Sequence, residues 1–217
     1  MHQGDALAWL GAQASLAGCS VVTSLPDISE QHAEVQARVD SKISEWTSWF
    51  EAAAQLTMSR VPDEGVAIFF QSDIRQAGLW VDKGAMVARA AERAGMRLLF
   101  HKIVCRHAPG TVRFGRASYS HLLGYARTLT PTLRKHTADV LPDAGAMPGK
   151  KSMGVAACVD ACRFILAETT TRTVVDPFCG FGTALAVANA MGLAAVGVDL
   201  SARMCRKART LTIELPS

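Results

Sequence analysis

Hydrophobic and polar positions switch between two periods along this chain, and the switch is sharpest near its C-terminal end. Thr173-Val174-Val175 is a short β-branched run that stops at Asp176, as a strand buried in a parallel sheet does. Gly180 and Gly182 follow and allow a tight turn. Residues 183–191, rich in Ala and Leu, predict a helix closed by Gly192. A second apolar run, 194–198, ends at Asp199. Strand, glycine turn, helix, strand and acid together make one half of a nucleotide-binding α/β fold.

The same reading predicts a short helix at 6–10 and strands at 19–23, 66–70, 96–105 and 119–125. Helices are expected at 46–56, 85–94 (closed by Gly95) and 154–167. In 46–56 the residues Trp46, Trp49, Phe50, Ala53 and Ala54 recur at helical spacing, which favours packing on a sheet over base stacking. The polar stretch Glu30 to Lys42 reads as mobile or as a lid.

With 217 residues, 49% of them hydrophobic, the chain can bury one good core. No apolar run reaches the about 18 residues that cross a bilayer, and His2-Gln3-Gly4-Asp5 does not open a signal peptide, so a cytoplasmic protein is expected. Six scattered cysteines suit reduced core thiols; Cys158 and Cys162 lie one helical turn apart with no second pair, which argues against a metal site. The net charge of +4 permits a polyanionic partner without requiring one. It is unevenly spread: between Lys102 and Lys151 nine Lys or Arg residues stand against Asp139 and Asp143, a local net of +7.

The chemistry of the C-terminal turn is specific. A carboxylate ending the second strand can hold the hydroxyls of a ribose, while the turn presents backbone N–H groups. Thr183-Ala184-Leu185 after Gly182 breaks the dinucleotide fingerprint and makes a pyrophosphate cradle a poor fit. The run Asp176-Pro177-Phe178-Cys179-Gly180-Phe181-Gly182-Thr183, with Gly197-Val198-Asp199 downstream, instead resembles the S-adenosylmethionine (SAM) loop of amino-methyltransferases, which methylate exocyclic amines of nucleic-acid bases. Gly4-Asp5-Ala6-Leu7, the strand at 19–23 and Thr23-Ser24-Leu25-Pro26 resemble the opening of the circularly permuted members, whose catalytic half precedes the SAM half.

The resemblance runs from Gly4 to about Arg209. It implies a Rossmann-like α/β methyltransferase fold with permuted motif order, a mostly parallel sheet and helices on both faces. It also implies one domain over 1–217: a catalytic half (1–105), a basic loop-rich segment (106–151) and a SAM-binding half (152–217). SAM would be the cofactor. Asp199 and Leu200 would lie at the ribose, Asp5 and Ala6 at the adenine, and Asp176, Pro177, Phe178, Cys179, Gly180, Gly182 and Thr183 at the methionine portion, with Ser152-Met153 close by. No metal is implied.

The resembled catalytic loop reads (Asp, Asn or Ser)-Pro-Pro-aromatic, its first side chain and the next carbonyl accepting hydrogen bonds from the target amine. Here it corresponds to Ser24, Leu25, Pro26 and Asp27. Asp27 replaces the aromatic that stacks on a flipped base. Three readings stay open: Asp27 is a general base, another aromatic such as Phe178 or Trp46 does the stacking, or the protein is a non-catalytic SAM-fold scaffold. The basic segment suits phosphate contacts through Lys102, Arg106, Arg113, Arg116, Arg134, Lys135, Lys150 and Lys151. It is too short to build a major-groove reader, so RNA (tRNA or rRNA) is expected ahead of DNA. A DNA amino-methyltransferase without its own recognition domain is the alternative, and a homodimer or partner subunit is compatible with so small a reading surface.

Overall fold

The computed structural model describes residues 1–28, 39–76, 78–114, 116–132, 137–149 and 151–215. In chain order the elements are β1 (His2–Gln3), α1 (Ala6–Gly11), β2 (Cys19–Thr23), α2 (Val39–Arg60), β3 (Ala67–Gln71), β4 (Ile74–Gln76), β5 (Leu79–Val81) and α3 (Lys83–Arg93). There follow β6 (Arg97–Cys105), β7 (Tyr119–Ala126), β8 (Val140–Leu141), α4 (Val155–Glu168), β9 (Thr173–Asp176), α5 (Thr183–Ala190), β10 (Ala194–Asp199) and α6 (Ala202–Thr210). The lid expected at Glu30 to Lys42 falls mostly on 29–38, outside the described residues; the backbone of 39–42 already belongs to α2.

Eight strands form one sheet in the order β1-β10-β9-β2-β3-β7-β6-β8, and β4 pairs with β5 as a separate hairpin. The run from β1 to β3 is parallel throughout, as is β6 with β8; β7 is antiparallel to both its neighbours. The sheet is therefore mostly parallel, as expected, with one reversed strand.

Alternation within the strands sorts the core into two layers. Val21, Ala67, Phe69 and Val175 pack with Leu10 of α1, Trp46 and Phe50 of α2 and Met86 and Val87 of α3. Their neighbours Val22, Ile68, Phe70 and Val174 face the opposite way, against Cys158, Cys162 and Ile165 of α4 and Val187 of α5. Both faces are covered, so the central strands read as continuous apolar runs. No described helix is long and apolar enough to cross a membrane.

On the second face, Lys102 of β6 pairs with Asp160 of α4 at 2.9 Å, and both side chains are only 5% exposed. Lys102 also donates to Thr137. This corrects its expected place among the phosphate contacts: an even position on a half-buried strand points it inward, where an acid meets it. Lys102→Met would strand the Asp160 carboxylate in the interior and is expected to cost about 3–5 kcal/mol in urea unfolding. The double variant Lys102→Met/Asp160→Leu should recover most of that loss, and equal instability of both would contradict the pairing.

Candidate functional site

The C-terminal ends of β2, β9 and β10 are neighbours in the sheet, and a cavity of about 1040 Å3 opens at those ends. β9 delivers Asp176, which is fully buried; its Oδ1 accepts from Thr23 Oγ1 of β2 at 2.6 Å and from the Phe178 backbone N–H at 3.1 Å. Burial pushes this carboxyl up to about 7, and the nearby Asp199 pushes the same way, while the two hydrogen bonds pull it down.

β10 delivers Asp199. Its Oδ2 accepts from Gly180 N–H at 3.0 Å and its Oδ1 from Ser201 N–H at 2.7 Å, so one carboxylate fixes both the turn after β9 and the start of α6. Gly180 and Gly182 both take positive φ. A Cβ on Gly182 would stand 2.6 Å from the Ala208 Cβ, so this glycine lets α5 pack on α6. It does not line the cavity, unlike the other expected cofactor residues. At the start of α5, Thr183 Oγ1 is buried with no hydrogen-bond partner among the described residues.

Asp5 arrives from the far end of the chain. β1 pairs in parallel with β10, and Gly4 N–H donates to the Asp199 carbonyl at 3.0 Å, which sets Asp5 and Ala6 on the cavity wall. The Asp5 carboxylate caps α1 through Ala8 N–H at 2.7 Å.

Ser24, Leu25, Pro26 and Asp27 follow β2 into the same cavity. Asp27 is buried and paired on both sides, by Lys83 at the start of α3 and by Arg116 at 2.8 Å. Burial alone would raise its pKa, but the charges and hydrogen bonds of Lys83 and Arg116 outweigh it and hold the carboxyl below the usual carboxylate range. Burial in turn pulls the Lys83 ammonium below its ordinary value, with Asp27 opposing. Lys83 is held from behind, its backbone N–H donating to Asp73 Oδ1 at 2.9 Å.

Of the two aromatics considered for stacking, Phe178 lines the cavity, and Trp46 does not. Trp46 is buried against Phe50, and Trp49, one turn further along the same helix, reaches the cavity instead, edge-on to Phe178 with centroids 6.1 Å apart. Arg106, Arg116 and Lys151 line the rim, and Arg106 donates to Ser72 Oγ at 3.1 Å. Arg113 is exposed beside Phe114, which is 88% exposed. Arg134, Lys135 and Lys150 lie outside the described residues. Sequence reasoning missed Lys83, Gln71, Ser72 and Trp49 on the wall; the only forward signal was Gln71-Ser72-Asp73 closing a buried strand.

No protein-family model and no curated protein matches the chain. Solved structures do. TTHA0409 of Thermus thermophilus, described as a DNA modification methylase and solved with S-adenosyl-L-methionine, superposes with a TM-score of 0.71 at 20% identity, over 95% of this chain and 90% of that one. The cytosine-N4-specific PvuII DNA methyltransferase gives 0.70 at 15% identity, over 100% and 87%. M1.HpyAVI in complex with SAM gives 0.58 at 12%, over 96% of each chain. The chain therefore shares the α/β fold of these methylases.

Asp176 titrates near 7 when folded against an ordinary 3.8. The folded chain thus holds this proton more tightly than the unfolded chain does. Stability from this group is complete below about pH 4 and declines as pH rises through 7, with a slope of at most about 1.4 kcal/mol per pH unit. Urea unfolding of the ligand-free protein between pH 4 and 7.5 should show this decline, and Asp176→Asn should flatten it; an unchanged slope in the variant would assign the effect elsewhere.

Proposed function

We propose that this protein is a SAM-dependent methyltransferase acting on a base of DNA, built as one domain with the catalytic loop preceding the SAM loop in the chain. One observation carries the reading: Asp199, the Asp176 turn and the Ser24 loop, far apart in sequence, line one cavity at adjoining strand ends.

The residues present fit the cofactor. Two carboxylates, Asp176 and Asp199, stand close enough to raise the proton affinity of Asp176, a repulsion that a ligand bearing sulfonium and ammonium charges relieves. The partnerless Thr183 hydroxyl lies in the same wall and can accept or donate a hydrogen bond. Asp199 would hold the ribose, Asp5 and Ala6 the adenine edge, and Asp176 with Pro177, Phe178, Cys179 and Gly180 the methionine portion. When bound, SAM supplies an electrophilic methyl group.

The chain's own residues prepare the acceptor. Ser24 Oγ and the Leu25 carbonyl accept hydrogen bonds from the target amine and keep its lone pair directed inward, and Pro26 fixes the turn that aims them. Asp27 is not the general base. A carboxylate held anionic by two cations has too little proton affinity near neutral pH, so it serves to position Lys83 and Arg116 at the wall. The proton lost on methylation passes to solvent.

A polyanionic substrate is supported by the cations at the rim, Arg106, Arg116 and Lys151, with Arg113 and Phe114 exposed beside them. Basic side chains interleaved with an aromatic suit a backbone-and-stacking contact. The neighbours named above are described as DNA methylases, one cytosine-N4-specific, which moves DNA ahead of the RNA expected from sequence. With no dedicated reader among the described residues, sequence preference would come from a second copy or a partner subunit.

Labelled methyl from SAM, offered to unmethylated genomic DNA, total RNA and cellular protein, should enter DNA. Asp199→Ala should abolish the transfer and weaken SAM binding by at least about tenfold, the worth of one charge-assisted hydrogen bond. Label in RNA alone would overturn the choice of DNA, and label in no pool would overturn the methyltransferase reading.

A further inference from the structure

Gln71 is the last residue of β3, directly beside the strand that leads into Ser24. Its side chain is 1% exposed and lines the cavity, yet its Nε2 has no hydrogen-bond partner among the described residues. Burying an amide without a partner is costly, and a chain that needed only to fold would place an apolar residue here, as it does at Phe69 and Phe70 on the same strand. The surroundings do not relieve it. Ser72 is engaged by Ser120 at 2.5 Å and by Arg106, and Asp27 is taken by Lys83 and Arg116. The donor is thus left at the wall of the space where a ligand can arrive.

We infer that Gln71 is the edge-reading residue of a base subsite, its carboxamide taking the adjacent amino group and ring nitrogen of a flipped cytosine or adenine. This rests on the methyltransferase reading and specifies its substrate. A carboxamide offers one donor and one acceptor side by side. Cytosine and adenine both present, on the edge that pairs in a duplex, an exocyclic N–H next to a ring nitrogen acceptor, so two parallel hydrogen bonds form. Thymine, uracil and guanine present a carbonyl beside a ring N–H; the amide could match that order only by rotating by half a turn, and no exocyclic amine would then face Ser24. The amide binds one amino hydrogen, leaving the other to Ser24 and the Leu25 carbonyl. The polar wall also accounts for the departure at position 27. Where the resembled loop holds a base by stacking, this chain has a charged network, and orientation falls to hydrogen bonds from the neighbouring strand.

The test is Gln71→Leu, compared with the wild-type full chain in three measurements. Ligand-free, Gln71→Leu should melt about 2–4 °C higher, because an unsatisfied buried amide is removed. A structural amide would give a lower melting temperature. SAM affinity measured by calorimetry should stay within about twofold. Methyl transfer to unmethylated genomic DNA should fall at least about tenfold in kcat/KM, since a site built to hydrogen-bond a group loses heavily when that pairing is gone. Gln71→Glu, which keeps the shape but presents only acceptors, should show the same loss of transfer with SAM affinity retained. Wild-type activity that survives in both variants overturns the subsite alone. A wild-type chain that binds SAM but labels no nucleic acid removes the subsite and the methyltransferase reading together.

Discussion

The Asp176 carboxylate is the joint on which this structure turns. It sits fully buried at the end of β9, receives the Thr23 hydroxyl from β2 on one side and the Phe178 backbone N–H on the other, and so locks the acceptor loop to the glycine turn. A polar group in so dry a position survives only because its partners are supplied by both elements. The geometry that follows is forced. Residues 24–27 must leave β2 in the direction that the turn after β9 leaves its own strand, and the two loops become walls of one cavity. Asp199 repeats the device one strand over, tying the turn to the start of α6 with its two oxygens.

Around that joint the molecule tolerates unmet demands that a purely structural core would not carry. Thr183 and Gln71 keep buried polar atoms without partners among the described residues, and both line the cavity. Asp27 and Lys83 are a buried pair flanked by Arg116. Such groups lower stability or leave it unchanged relative to an apolar filling, so their concentration on one cavity wall marks where ligands are expected to complete the bonding. The Lys102–Asp160 pair is the contrast: equally buried, and away from the cavity wall.

What could be read in the sequence was whatever depends on near neighbours along the chain. The β9 strand, the glycine turn, α5 and β10 have a pattern that no other local structure explains, and their acids fall at strand ends. The expected strand at 19–23 is β2 to the residue, and Asp5 joins the cavity because β1 pairs with β10. What could not be read depends on distant partners. Charge alone does not tell an internal cation from a surface one, so Lys102 looked like its neighbours in composition. Lys83 sits in an unremarkable helix start and gains meaning only from Asp27, 56 residues away. The β4–β5 hairpin, three residues per strand, is too short to give a period. Trp46 and Trp49 share one helix, and which of them reaches the cavity is decided by the sheet beneath.

The most direct measurement is a crystal structure of the full chain with SAM bound. The expected result has the ribose hydroxyls on the Asp199 carboxylate, the methionine end against the Asp176 turn and the reactive methyl facing Ser24 and Gln71. SAM bound away from Asp199, or with its methyl turned from the Ser24 loop, would contradict the assignment of this cavity as the transfer site.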